Sequence, residues 1–528
     1  MSEENRSKNI AFWCIVFALF LLTRLPAMSH YLSIDNVNLA FALENFDPRI
    51  HQPQPPGYPL FVLFSRIINV LFHDAEKTFA LTSILVGALC LPLVYDLGRR
   101  MFNSFVGRAA VFLLLVSPPF WYGTLEGPLR PCLALFSLLT AYCSWRCWQG
   151  ETSFMFWGAL ALGIGSGFRP DLGVYLFPVW LLSAWMGTRS FGAVLRGLAV
   201  LAAVVLSWLG GMAYAVGGPR ELYSLNLEYV VSQSKGESVV MGAAQSGWIR
   251  QMSRLVVWNG TIVFASLAAL PLALQFRRRQ GTGSSPLAFM LAWLMPGFAF
   301  QALIHVADPG HTLFSIPAMC LVAAFLIHSA SHYSEAARDA LFAVSLIFNM
   351  TVFLSFYPLP AAGAPTGGLH SLKNAFVFAS FETSIGELRY MDSAATQTMA
   401  EMKDVTKTDR PLVIVTSDVD VQNWFMNWRI ARYYMPNTEM WVVADQETPR
   451  RVERIKRDKT LSIGVGIPVP LPVGSRVIWL IEKDGPFHRA LKQAQPNLAG
   501  GNVLPYTDVD SETQPFRVMD VAFTPQSF

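Results

Sequence analysis

A segment near the N-terminus holds residue types that suit transfer of a group to a hydroxyl. Asp35 stands in Ser33-Ile-Asp-Asn36, and His51 opens the run His-Gln-Pro-Gln-Pro-Pro-Gly-Tyr-Pro-Leu60. A carboxylate beside apolar surface can have its pKa adjusted so that it serves as a general base. Asp35 also precedes the helix-like residues 37–44 and is equally suited to capping that helix. The two roles are compatible, and we carry both interpretations forward.

Further polar residues lie at the ends of later apolar stretches. They are Glu126 and Arg130 at one turn, Arg169 and Asp171 at the next, and His305, Asp308 and His311 at a third. Charges at membrane depth are costly, which makes such residues functional candidates. Each one alone is also explained by snorkelling or ion pairing. Together they predict a polar face that could hold a phosphate through its cations.

Metal binding receives little support from these residues. His305, Asp308 and His311 are valid ligand types. Pro309 and Gly310 stand between them, however, so the segment is a turn and the spacing carries little information. We therefore assign no metal ligands. A divalent ion such as Mg²⁺ or Mn²⁺ is compatible with the sequence but not required by it.

Two Asp-x-Asp patterns invite comparison with enzymes that hold nucleotide sugars through a metal. Asp418-Val-Asp420 follows a predicted strand, and Asp508-Val-Asp510 repeats the pattern. Because the pattern recurs and lies in a region predicted to be outside the cell, we interpret both as surface turns.

Composition identifies the class of protein in which these residues work. The chain has 528 residues, of which 53% are hydrophobic and only 14% charged, with a net charge of +4. Soluble proteins carry about 25% charged residues, so a disordered chain and an ordinary cytosolic enzyme are excluded. A nucleic-acid binder would need clustered Lys and Arg on a soluble face. The composition predicts a multi-span membrane protein, with a retained signal anchor at its N-terminus. The cysteines form no metal or disulfide pattern.

Runs of about 20 apolar residues are long enough to span a bilayer. Eleven are predicted, at residues 10–28, 78–97, 105–122, 128–148, 154–168, 172–186, 193–216, 255–276, 286–305, 313–328 and 340–357. Residues 57–72 form a further apolar run, but counting it as a span would place Arg99, Arg100 and Arg108 outside the cell. Cytoplasmic loops carry the Lys and Arg excess, so we predict that this run lies in the membrane interface.

This choice sets the predicted topology. The N-terminus lies in the cytoplasm, and residues 29–77, 123–127, 217–254 and 307–312 face outward, as does the region after residue 357. Residues 217–254 could form a mobile lid or a plain connection.

The C-terminal region changes character. Residues 358–368 are rich in Pro, Gly and Ala and read as a linker. Strands are predicted at 411–416, 440–444 and 477–481, and helices at 422–434 and 448–459. We predict a transmembrane all-α bundle over 1–360, with its first outer loop at 29–77, and a soluble extracytoplasmic α/β domain over 361–528. No Gly-x-Gly-x-x-Gly follows a strand, so a dinucleotide site has no support.

Over roughly the first 360 residues, these features resemble the GT-C class of membrane glycosyltransferases. The similar relatives are protein O-mannosyltransferases and the bacterial enzymes that modify lipid A with aminoarabinose. The resemblance rests on Ser33-Ile-Asp-Asn36, the Pro-rich run from His51, Thr124-Leu-Glu126-Gly-Pro, and the late turn Asp308-Pro-Gly-His-Thr-Leu-Phe-Ser-Ile-Pro317.

The resemblance implies an inverting transfer on the extracytoplasmic face, from a polyprenyl-phosphate sugar to a hydroxyl of a glycan, lipid or protein. Asp35 would be the base and Glu126 the second acid of the site. The implied substrate-binding residues are His51, Tyr58, Arg130, Arg169, His305 and His311. Many members have Asp-Glu where this chain has Asp35-Asn36, which puts direct metal binding in doubt.

Other functions remain as alternatives. A ligase or polymerase that moves a whole lipid-linked glycan would share the polar outer face. A lipid or glycan transporter would instead show repeat symmetry and broken helices at mid-depth. An assembly protein with a degenerate membrane part is a third alternative. For the favoured transferase we expect a multi-pass location in the cell (inner) membrane and no nucleic-acid partner.

Overall fold

A computed structural model of the chain describes the following residues: 3–234, 238, 240–242, 245–280, 285–306, 308–355, 368–417, 428–444, 451–455, 461–465, 467–495, 498–500 and 504–527. Two compact units are present. The first comprises residues 1–29 and 55–389, and the second comprises 30–54 and 390–528. This division differs from the predicted domains 1–360 and 361–528, which remain a prediction.

Helices dominate the described residues up to Val405. In chain order they are α1 Glu3–Arg24, α2 Ile34–Glu44, α3 Pro59–Phe72, α4 Ala75–Met101, α5 Ser104–Val116, α6 Pro118–Glu126, α7 Arg130–Trp148, α8 Phe154–Phe168, α9 Asp171–Thr188, α10 Phe191–Val216, α11 Pro219–Ser234, α12 Gln245–Phe264, α13 Leu270–Gln280, α14 Ser285–Leu303, α15 Ile316–Ser329, α16 Glu335–Leu354, α17 Gly368–Phe381 and α18 Ile385–Val405. Two more, α19 Trp428–Tyr434 and α20 Pro486–Ala494, follow in the second unit.

The described part of every predicted span is mostly helical, but the count of eleven spans is not confirmed. Six stretches of the described chain are long and apolar enough to cross a membrane. They are Asn9–Ala27, Ala75–Met101, Phe191–Val216, Gly247–Gln275, Pro286–Leu303 and Glu335–Leu354. Helices α5 and α6, bent by 54°, pass the same test as a pair. Others, such as the 15-residue α8, fall short of the length that a bilayer requires.

The predicted continuous span at 105–122 is broken between α5 and α6 for a chemical reason. Pro118 and Pro119 have no backbone N–H, so the last carbonyls of α5 lose their usual helical donors. Arg24 supplies one replacement, because its guanidinium donates to the carbonyl of Leu115 at 2.6 Å. The same guanidinium lies between the rings of Phe20 and Trp121, 5.0 and 4.8 Å from their centroids. A buried cation thus fastens α1 to the break.

Helix α3 corresponds to the run that we predict to lie in the interface. Its 14 residues extend about 21 Å, whereas the hydrocarbon core is about 30 Å thick. Phe61 and Val62 are buried, while Val70 and Leu71 are 68% and 74% exposed. One face therefore packs on the protein and the other is apolar and uncovered, which is the pattern expected of an interfacial helix.

The second unit contains the predicted α/β structure. Its strands are β1 Leu412–Ser417, β2 Glu439–Ala444, β3 Arg451–Ile455, β4 Leu461–Val465, β5 Val469–Pro472, β6 Arg476–Leu480, β7 Ala499–Gly500, β8 Pro505–Asp508, β9 Phe516–Val518 and β10 Val521–Gln526. The larger sheet has the order β4-β3-β2-β1-β6-β8-β7, and β5-β10-β9 form a smaller one. Strand β1 lies parallel to β2 and to β6, with Ile414 opposite Met440 and Ile478.

All three strand predictions in this unit are confirmed, but one helix prediction is wrong. The described part of 448–459 is strand β3, which pairs antiparallel with β2 and β4. Pairing on both sides outweighs the helical propensity of this charged stretch. Of the helix predicted at 422–434, the described part is α19. Asp418 and Asp420 and most of the predicted linker lie outside the described residues.

The other Asp-x-Asp pair holds the second unit together. Arg476 donates to both carboxylate oxygens of Asp508, at 2.7 and 2.9 Å, and Arg410 pairs with Asp510 at 2.9 Å. These ion pairs give that motif a structural role.

Candidate active site

Glu126 and Arg130 lie on either side of the short turn between α6 and α7. Arg130 is the first residue of α7 and its Nε donates to Glu126. A terminal nitrogen of the same guanidinium donates to Asp308. Only 12% of the Arg130 side chain and 10% of the Glu126 side chain are exposed. The two residues predicted from the α6–α7 turn therefore meet the late turn in one buried ion cluster.

Asp308 is positioned by the turn that it begins. Its carboxylate accepts a hydrogen bond of 2.6 Å from the backbone N–H of Gly310 and caps the short 3-10 helix Pro309–Phe314. A Cβ at Gly310 would lie 2.7 Å from Cδ of Arg130, closer than two carbons can approach. Glycine is therefore needed where this turn passes over the Arg130 side chain.

Arg169 lies at the C-terminal end of α8, just before α9 begins. Its side chain is 11% exposed and approaches Asp171 at 3.4 Å. Its guanidinium also lies 5.9 Å from the ring centroid of Tyr58, a buried residue in the left-handed conformation just before α3. Arg169 thus has a longer ion pair than Arg130 and an aromatic neighbour.

His305 and His311 come together as predicted, with their ring centroids 5.6 Å apart. Burial holds the pKa of His311 well below its ordinary value, and the neighbouring Arg169, His305, Arg130 and Arg254 lower it further, in that order of effect. His311 is therefore a neutral imidazole at pH 7, surrounded by guanidinium groups.

Two acidic residues of this site, Glu382 and Glu387, lie beyond the predicted linker and were not predicted from the sequence. Glu382 receives two hydrogen bonds from Arg254, one of them at 3.0 Å. Burial raises the pKa of Glu387 well above the usual range of a carboxyl, while a hydrogen bond with Tyr122 lowers it. Glu382, Asp308 and Glu126 raise it further. No local pattern marks Glu382, because its contact with Arg254 joins positions that are far apart in the chain.

We call the first unit's group the polar cluster. Its members are Glu126, Arg130, Arg169, Asp171, Arg254, His305, Asp308, His311, Glu382 and Glu387. Seven of them lie at or beside the turns that connect α6 to α7, α8 to α9 and α14 to α15. Arg254 lies within α12, Glu382 just after α17, and Glu387 in the first turn of α18. Among the described residues, no group of three His, Cys, Asp or Glu side chains is arranged to hold a metal ion.

Asp35 and His51 belong to the second unit and are described within it. Asp35 is the second residue of α2 and is exposed, and the N-cap position belongs to Ser33. The capping interpretation of Asp35 is therefore wrong, although an acid in a first turn still favours the helix. His51 is half-buried, and burial lowers its pKa to about 4, with help from the charge of Arg429.

The chain is similar to a known protein family and to solved structures. Residues 52–209 match the family described as dolichyl-phosphate-mannose-protein mannosyltransferase. ArnT from Cupriavidus metallidurans in the apo state is similar in structure, with a TM-score of 0.54 and 13% identity over 84% of this chain and 94% of that one. The resemblance to GT-C membrane glycosyltransferases is confirmed.

A second ArnT structure from the same organism, bound to undecaprenyl phosphate, is nearly as similar. Its TM-score is 0.53 at 12% identity, with the same coverage of 84% and 94%. At this identity the likeness establishes the GT-C fold. No curated protein sequence matches the chain. The chain thus shares the fold of these ArnT structures, and several of its described helices are long and apolar enough to cross a membrane.

Proposed function

We propose that the protein is an integral-membrane glycosyltransferase. It moves a sugar from a polyprenyl-phosphate donor to a hydroxyl acceptor on the extracytoplasmic face of the cell membrane. The observation that carries the proposal is the polar cluster, in which buried guanidinium groups lie beside carboxyls. The fold shared with an ArnT that binds undecaprenyl phosphate supports the same donor class.

Arg169 is the best candidate for the donor phosphate. Arg130 already donates to two carboxylates, so a phosphate would have to displace one of them. Among the described residues Arg169 makes one ion pair, of 3.4 Å, and its guanidinium has further N–H groups for a phosphate oxygen. His311, buried and neutral, can donate one N–H without adding a second charge. Tyr58, Arg130, His51 and His305 complete the proposed substrate-binding set.

The reaction is an inverting displacement. The acceptor hydroxyl oxygen forms a bond to the anomeric carbon as the bond from that carbon to the phosphate oxygen breaks. The electron pair of the broken bond leaves with the phosphate, and the hydroxyl proton passes to Asp35. A cation beside the phosphate stabilises its growing charge. Asp35 is exposed on α2, as a base that receives an external acceptor must be.

Glu126 is proposed as the second acid of the site. Its contact with Arg130 holds the carboxylate in place. No step is assigned to a metal, since Asn36 stands where an acid is common and the described residues offer no metal cluster. The proposal leaves hexose and pentose donors, and glycan, lipid and protein acceptors, to be separated by experiment.

The test is donor turnover by the purified full-length protein in liposomes. Undecaprenyl-phosphate glucose, mannose and arabinose are supplied with a membrane extract as the acceptor source, and free undecaprenyl phosphate is measured. We expect one donor to be consumed by the wild type, and Arg169→Ala to raise the donor KM by at least tenfold. Arg189→Ala, at the opposite end of α9, is the matched control. Consumption of no donor would contradict the proposal, and release of an intact multi-sugar glycan would favour the ligase alternative.

A further inference from the structure

The second unit is built from two segments that are far apart in the chain. Residues 30–54, which contain α2 and Asp35, belong to one compact unit with residues 390–528. A segment as short as 30–54 has too few residues to bury a core of its own. The conformation of the loop that carries Asp35 therefore depends on side chains from the C-terminal part of the chain.

An apolar stripe fixes the rotation of α2 about its own axis. Ile34, Val37 and Phe41 recur at a spacing of three and four residues. They are buried in one apolar cluster with Ile430 of α19. Successive residues of a helix are about 100° apart around its axis, so Asp35 is turned away from this stripe, and it is exposed. Packing against the C-terminal part thus sets the direction in which Asp35 leaves the helix.

Hydrogen bonds to the C-terminal part hold the backbone that leads into α2. The N–H of His30 donates to Oδ1 of Asp392 at 2.9 Å, and the N–H of Leu32 donates to the Tyr434 hydroxyl at 3.0 Å. The rings of Tyr31 and Tyr434 lie against each other, with their centroids 5.6 Å apart. The bond to Tyr434 is made three residues before the proposed base. The start of α2 is therefore fixed by α18 and α19.

The chain that returns from α2 is held by α19 as well. Arg429 donates to the backbone carbonyl of Ile50 at 3.0 Å. The same guanidinium lies 4.3 Å from the ring centroid of Trp428, and stacking on an aromatic ring limits its orientations. Because these contacts precede and follow α2, the helix cannot shift without breaking a hydrogen bond or uncovering apolar surface.

We propose that Tyr434, Asp392 and Arg429 are positioning residues for the proposed base Asp35, and that this is the role of the C-terminal α/β region in the reaction. The inference rests on the proposed function and adds to it the part of the chain that places the base. A base must lie within hydrogen-bond reach of the hydroxyl that it deprotonates. A displacement of about 1 Å can cost about a hundredfold in rate. Loss of one contact should therefore lower kcat and leave donor binding unchanged.

The first variant is Tyr434→Phe, which removes the hydroxyl that accepts from Leu32 and keeps the ring that packs against Tyr31. Sugar transfer by the full-length protein in liposomes is measured with the donor that the wild type consumes. We expect kcat to fall by about three- to tenfold, the effect of one lost hydrogen bond, and donor KM to change by less than about twofold. Tyr506→Phe is the matched control, because it makes the same change on β8, where the ring packs against Arg476. It should leave kcat unchanged.

A double-mutant cycle separates positioning from a general loss of folded protein. A variant that only lowers the folded fraction reduces kcat by the same factor whether or not Asp35 is present. A residue that acts through Asp35 has no further effect once the carboxylate is gone. We therefore expect Tyr434→Phe to change the residual rate of the Asp35→Asn protein by less than about twofold.

Asp392 provides a second test at a separate contact. Asp392→Ala removes the acceptor of the His30 N–H, whereas Asp392→Asn keeps an oxygen that can accept it. We expect Asp392→Ala to lower kcat by about three- to tenfold, and Asp392→Asn to restore most of the wild-type rate. Because two contacts are tested separately, one variant that fails to fold does not decide the outcome.

The possible failures are distinguishable. Wild-type kcat in both Tyr434→Phe and Asp392→Ala would overturn the inference, as would a loss in Tyr434→Phe that is equally large in the Asp35→Asn background. Either result leaves the proposed transferase intact. An Asp35→Asn protein with the wild-type rate would overturn the proposed base together with this inference. If the wild type consumes no donor, the proposed function fails, and the positioning role fails with it.

Discussion

Arg130 and Asp308 are 178 positions apart in the chain, yet their side chains form an ion pair inside the first unit. The pair joins the start of α7 to the turn before α15, and Glu126 binds the same guanidinium. Arg130 is therefore the group on which the geometry of this part of the polar cluster depends.

Removal of Arg130 should destabilise the protein. In Arg130→Ala, the enclosed carboxylate of Glu126 and the partly exposed carboxylate of Asp308 both lose this cation. Breaking a buried pair from one side costs about 3–5 kcal/mol. Arg99→Ala is the control, because Arg99 is 47% exposed beside Asp96 and such pairs contribute about 0–1 kcal/mol. Denaturant unfolding in detergent measures both. Equal losses in the two variants would contradict the central role of Arg130.

The close approach at Gly310 gives a steric test of the same cluster. Gly310→Ala places a methyl group against the Arg130 side chain, and that side chain is fixed by two acids and cannot move away without breaking a contact. We expect a stability loss of about 1–3 kcal/mol together with reduced sugar transfer. Gly211→Ala, where a Cβ meets nothing within 4 Å, should be neutral or stabilising. An active, fully stable Gly310→Ala protein would refute the proposed packing.

The lowered pKa of His51 predicts that the stability of the second unit depends on pH. Burial lowers its pKa from 6.5 to about 4, so the folded state binds a proton less readily than the unfolded state. Stability from this group is complete above about pH 6.5 and decreases as the pH falls toward 4. Between pH 7 and pH 5 the loss is about 2 kcal/mol.

His51→Asn should remove this part of the pH dependence, and Asn tolerates the left-handed backbone at this position. Hydrogen exchange of residues 34–44 at pH 7 and pH 5, corrected for the intrinsic rate, measures it in the full-length protein. The same change in opening free energy in wild type and variant would show that His51 is not responsible.

The predicted topology can be tested separately, by the side of the membrane on which three positions lie. Reporter fusions after Arg100 and after Arg279 should be active only in the cytoplasm, and a fusion at the C-terminus only outside it. The reason is the Lys and Arg excess of the loops assigned to the cytoplasm. An outside signal at Arg100 would mean that α3 crosses the membrane and that the active face is misplaced.

Local patterns in the sequence were sufficient for much of the fold. Long apolar runs located the helices, and β-branched clusters located β1, β2 and β6, because those signals depend on neighbouring residues. The break between α5 and α6 at Pro118 follows from the missing N–H groups, so the sequence alone could have predicted it. Strand β3 could not be predicted in this way, because Arg451–Ile455 becomes a strand through its pairing with β2 and β4.

The candidate site was partly predictable for the same reason. Glu126, Arg130 and His311 stand out as polar residues at the ends of apolar runs. Glu382 does not, because its role depends on Arg254, which is 128 positions away, and no local pattern encodes that pairing.

The most direct test of the account concerns Asp35. Sugar transfer is measured in liposomes with the donor that the wild type consumes, comparing Asp35→Asn with Glu44→Gln, an exposed acid on the same helix α2. Loss of a general base predicts a fall in kcat of about 10²–10⁴ for Asp35→Asn, with little change in donor KM, while Glu44→Gln stays at the wild-type rate. Transfer by Asp35→Asn at the wild-type rate would contradict the proposed base.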